Sequence, residues 1–196
     1  MRLGSRLPLE ASGNRDIDGS GDKEEVSLNQ MIQESLRRQA PLWPIALSRI
    51  LISFLWLISL RWKLPPDFAP ATGKGLMDWL QLEVQYPAFG FYADFVQSVV
   101  IPNFTLFAWL IFLIELIIGL LLLTGTWTRL AGVLGALMSL NIGIGVLAVP
   151  GEWPWSYVMM IMWHGLFVVT ASGRVLGVDG WLRNRLPADS VWLIFT

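Results

Sequence analysis

The stretch LFAWLIFLIELIIGLLLL, residues 106–123, constrains the chain more than any other, because sixteen of its eighteen residues are apolar and the other two are Gly119 and Glu115. An apolar run of about 20 residues is what a helix needs to cross a ~30 Å hydrocarbon core. A charged side chain near the centre of such a helix costs roughly 2.5–3.5 kcal/mol on insertion scales. Glu115 therefore needs a partner, and three further runs of similar length limit where one can come from.

Those runs predict spans over Pro44–Lys63, Thr128–Val149 and Trp153–Ser172, beside Pro102–Thr124 for the segment above. Pro44, Pro102 and Pro154 stand at or near three of the starts, where a missing N–H costs nothing. The expected fold is an all-α membrane protein, an antiparallel four-helix transmembrane bundle. Residues 1–41 read as a polar tail with an amphipathic helix, 42–186 as the membrane domain and 187–196 as a C-terminal tail. In the tail, Ser27 and Gln30 form a capping-box pattern before Leu28, Met31, Ile32 and Leu36, a helix ending at Pro41 that suits the membrane interface or a partner's surface. Residues 64–101 are too long for a turn. GLMDWLQLEV and AFGFYADFVQSVV are amphipathic there, with Phe89, Tyr92, Val96 and Val99 on one face, and predict two short helices that cap the bundle's outer face. Trp62, Trp79, Trp153 and Trp155 complete an outer aromatic belt.

Ten Lys and Arg flank the spans on the side of both termini and three on the other, which predicts an inner-membrane protein with both termini cytoplasmic. The composition excludes several chemistries. A formal net charge of -1 leaves no basic surface for nucleic acid. With no Cys and one His, the chain has no thiolate nucleophile, no Cys-based metal site and no His pair. What remains are polar residues at membrane depth. Arg49, Glu115 and His164 share the cytoplasmic half, and Arg49 is the expected ion-pair partner of Glu115. They are the candidate proton-handling or catalytic groups. Tyr157, Asn141 and His164 are candidate ligand-binding groups, and no metal site is expected. Ala131, Gly135, Ser139 and Gly143, spaced by four, predict a face on which another helix packs closely.

An Arg in span one, the arrangement E-x-x-x-G-x-x-L-x-x-G-x-x-T-R from Glu115 to Arg129, and G-R-x-x-G-x-D from Gly173 to Asp179 resemble the DoxX/DoxD-like four-helix membrane proteins. The resemblance covers about residues 45–186. It implies a membrane subunit of the kind that passes electrons to the quinone pool in thiosulfate:quinone oxidoreductase, beside a DoxA-type domain for which this chain has no room. Two functional readings follow: a quinone-linked redox subunit with quinone as cofactor, or a non-catalytic subunit of a larger respiratory or photosynthetic complex. The expected partners are the lipid bilayer and other membrane subunits. No complete catalytic constellation is visible in the sequence.

Overall fold

A computed structural model describes residues 41–70, 73–187 and 189–196. The expected polar tail and its amphipathic helix lie outside the described residues. Seven α-helices and no strand occur among them. α1 is Trp43–Ser59, α2 Leu76–Gln85, α3 Gly90–Phe95, α4 Phe104–Thr124, α5 Thr128–Val146, α6 Pro154–Thr170 and α7 Val178–Arg185.

Three helices are long and apolar enough to cross a membrane: Trp43–Trp62 (α1 with the 3-10 turn that tightens its end), α4 and α5. α6 has 17 residues. It lies along α5 and also meets α1, while α4 packs against both α1 and α5. Leu51, Ile58, Leu106, Leu137 and Val169 point outward and are exposed, the arrangement expected where the solvent is lipid. Inside, Ile52 and Trp56 of α1 meet Ile118 and Leu122 of α4, Ala131 and Met138 of α5 and Phe167 of α6.

Lipid tails give helices no hydrophobic reason to associate, so close backbone approach has to hold α5 to α6. The small-residue stripe, with Gly132 beside it, serves that end. A Cβ on Gly132 would lie 2.9 Å from the His164 carbonyl oxygen, and one on Gly135 would enter the His164 ring. A Cβ on Gly143 would stop 3.0 Å from Tyr157.

The 64–101 connection forms a helical cap over one end of this arrangement. Asp78 accepts the Gly75 N–H at 2.7 Å and starts α2. α3 runs into a π-helical turn, Val96–Val100, closed by the Ile101 N–H on the Val96 carbonyl. The buried side corrects the expected face. Ala93, Val96 and Val100 are buried while Val99 is exposed, and Phe89 is exposed as the extended residue before α3. Phe68, Leu76, Leu80, Val96 and Val100 then seat the cap on Ala108 of α4.

Gly132→Ala forces α5 away from α6 and should lower thermal stability in detergent by about 1–3 kcal/mol. A Cβ on Gly165 of α6 would meet nothing within 4 Å, so Gly165→Ala should be neutral or stabilising by up to ~1 kcal/mol. Equal melting of the two variants would contradict the packing account.

Candidate functional site

Glu115 stands 11 residues into α4, roughly 16 Å from the helix start, and is fully buried. Its partner is Lys63, not the expected Arg49. The Lys63 ammonium makes an ion pair with Glu115 Oε1, and the Ser59 hydroxyl lies within donating distance of Oε2 at 3.0 Å. Both charged side chains are almost wholly enclosed. Lys63 follows the 3-10 turn at the end of α1, and its ammonium also sits 4.2 Å from the Trp62 ring centre. From the sequence it counts as a flanking charge. Its long stem instead reaches back beneath the cap.

Helix register explains why Arg49 cannot take this place. In the antiparallel pair α1–α4, Arg49 is level with the end of α4, two turns beyond Glu115. Its guanidinium donates to the carbonyl of Leu122, and to that of Leu176 at 2.8 Å. Gly125, with φ +67°, lets it in, since a Cβ there would lie 2.7 Å from Arg49 Nη1. The Gly173–Asp179 segment closes this end. Buried Asp179 accepts from the N–H of Trp127 (2.6 Å) and from the N–H and hydroxyl of Thr128 (2.9 and 2.7 Å). It thus caps the N-terminus of α5 from a distant part of the chain, where the helix dipole favours an anion.

His164 occupies the packed centre, not a cavity. Trp56 Nε1–H donates to its Nε2 at 3.0 Å, and its Nδ1 faces the Met160 carbonyl at 2.6 Å. The Trp56 bond fixes the neutral tautomer with the proton on Nδ1, and both ring nitrogens are engaged.

The other expected residues do converge. A cavity of about 490 Å³ lies between the cap and the helices, within the 300–1,000 Å³ typical of small-molecule sites. Lys63 and Glu115 line it together with Tyr157, Asn141, Tyr92 and Glu83, and the remaining walls are largely aliphatic and aromatic. Tyr92 donates to Asn141 Oδ1 at 3.3 Å, and Tyr157 to Glu152 at 2.7 Å. Glu83, on the inner face of α2, is 8% exposed and its Oε2 meets no donor. It rests against Gly145 of α5, where a Cβ would lie 2.5 Å from the carboxyl carbon. Burial pushes its pKa from an ordinary 4.5 up to about 7. Lys63, Glu83 and Tyr92 are thus the site residues that spacing alone did not reveal. The pairing of Gly145 with an acid on an amphipathic cap helix is visible only in three dimensions.

Fold and site together define an integral membrane protein with a polar-floored cavity enclosed beneath a helical cap. The chain belongs to the DoxX family, whose model matches residues 47–148, from α1 through the end of α5. Searches of curated proteins and of solved structures give no match.

Two measurements test this geometry. Lys63→Met or Glu115→Leu alone leaves a buried charge unpaired and should cost about 3–5 kcal/mol, whereas the double variant should recover most of the loss. Additive losses would show that the two side chains do not interact. For Glu83, the folded chain binds more protons than the unfolded chain between pH 4.5 and about 7. Its contribution to stability is therefore full below pH 4.5 and falls as pH rises through about 7. Glu83→Gln should remove that fall and raise the melting temperature at pH 8. An unchanged pH profile would place the carboxyl in water.

Proposed function

We infer that this DoxX-family protein is a four-span membrane subunit whose capped cavity binds a quinone-class ring and so links it to membrane electron transfer. The observation that carries the reading is the cavity itself, with apolar walls for a ring and tail and polar groups converging on one chamber. The fit is chemical. The Lys63 ammonium has N–H groups beyond the one given to Glu115, which a ring oxygen can accept. Glu83 presents an unpartnered carboxyl oxygen. Tyr157 and Asn141 keep the ligand-binding roles expected of them. Glu115 fixes Lys63 and remains the candidate proton-handling group, joined by Glu83. Arg49 and His164 are assigned to helix register and packing. A bound quinone would supply the electron-carrying ring, and this chain's residues would hold and orient it. The DoxD-type association with thiosulfate oxidation would require a catalytic partner, because the chain has no Cys.

The accessory-subunit reading draws on a separate observation. At the end opposite the cap, Leu176, Trp181, Val191, Trp192 and Ile194 are all exposed. Such an apolar surface suits a neighbouring subunit or the lipid headgroup layer. Binding and docking are compatible, and in both readings α6 is the fourth span and the cap faces outward.

Protein purified in mild detergent should carry extractable quinone, and Lys63→Met should lose it while remaining folded. Full retention in folded Lys63→Met would remove the cavity floor from the site. Topology is tested separately on the Cys-free chain. Asp94→Cys should react with an impermeant thiol reagent added outside the cell, and Asp189→Cys should not. The reverse pattern would invert the protein in the membrane.

A further inference from the structure

Once the protein's own hydrogen bonds are subtracted, the cavity keeps an uneven set of polar groups. Glu115 is engaged by Lys63 and Ser59. Tyr92 and Tyr157 have given their single protons to Asn141 and Glu152, so each phenol presents only lone pairs to a ligand. Glu83 lines the same cavity as both of these phenols. Glu83 itself is more than nine-tenths buried with a free oxygen. The two phenols and Glu83 thus offer acceptors, while Lys63 at the floor and the Asn141 side-chain amide, which uses only its oxygen for Tyr92, keep spare donors. A buried acceptor without a donor is costly, and a ligand that supplies one recovers that cost.

A ring with two carbonyls can accept from Lys63 but has nothing to give Glu83. The same ring reduced to the dihydroxy form can do both. We propose that Glu83 makes the cavity selective for the reduced, dihydroxy form of its ring ligand by accepting a hydrogen bond from a ring hydroxyl. The proposal rests on the ring-binding reading above and adds to it which redox form is held. A consequence follows by linkage. Each tenfold preference for the reduced form raises the two-electron potential of the bound couple by about 30 mV, making the bound ring easier to reduce and harder to oxidise than the free one.

The test uses the full-length chain in lipid nanodiscs, without oxygen, titrated with a short-tailed benzoquinol and separately with its benzoquinone. At pH 8 the wild type should bind the quinol about tenfold more tightly or better, the scale of a hydrogen bond to a charged group. In Glu83→Gln, whose amide can donate to a carbonyl as well as accept, the two affinities should draw together. Lowering the pH to 6 should narrow the wild-type ratio, because a protonated Glu83 can donate to the quinone. The other charged or titratable groups lining the cavity are Lys63, Glu115, Tyr92, Glu152 and Tyr157, so the same pH change in Glu83→Gln isolates the part due to Glu83. Equal affinities in the wild type at pH 8, or an unchanged ratio in Glu83→Gln, would overturn the proposal and leave ring binding standing. Failure of both molecules to bind the wild type would overturn the ring-binding reading and the proposal with it.

Discussion

The cap end of this protein depends on one buried contact, that of Lys63 with Glu115. Neither charge can be left alone at that depth, because a low-dielectric surrounding magnifies the cost of an unpaired ion. The end of α1 tightens into a 3-10 turn just before Lys63, whose ammonium is directed inward to the pair. The space above the pair has a charged floor and largely apolar walls, and holds a cavity of about 490 Å³. The cavity is roofed by α2 and α3 and floored by the ion pair.

The opposite end is held by a different kind of polar contact. Arg49 binds backbone carbonyls at the end of α4, and Asp179 binds backbone N–H groups at the start of α5. Both satisfy groups that helix ends leave unpaired, and they do so where chain segments of distant sequence meet. This end fixes register, which in turn sets Glu115 level with the reach of Lys63. Between the two ends, His164 and Trp56 share a hydrogen bond beside the close α5–α6 contact. The division is functional as well as geometric: the far end and the centre spend their polar groups on helix ends and packing, while the cap end keeps an unpartnered acid facing a cavity.

Much of this was legible in the sequence. Hydropathy located the three long apolar helices within a few residues, and the cap helices fell where amphipathic spacing put them. The stripe at 131, 135, 139 and 143 correctly marked a close helix contact. Glu115 announced its need for a partner, and Glu115, Tyr157 and Asn141 do meet in one chamber. The partner is not legible because position along a span does not give reach: Arg49 turns towards the end of its helix, while Lys63 turns away from its own. The face of the second cap helix differs from the expected one because Phe89 stands outside the helix and Val100, not Val99, turns inward. Glu83 was invisible for a related reason. On a single amphipathic helix an acid reads as solvent-facing, and only the approach of Gly145 shows that it is buried.

The central claim is that Glu115 is an ionised carboxylate held by Lys63 deep within the helices. Infrared difference spectroscopy of the wild type against Glu115→Gln measures that state directly. The account predicts that the band lost on substitution is an ionised carboxylate stretch and that Lys63→Met shifts or abolishes it. A protonated-acid band already present in the wild type, or a carboxylate band unaffected by Lys63→Met, would contradict it.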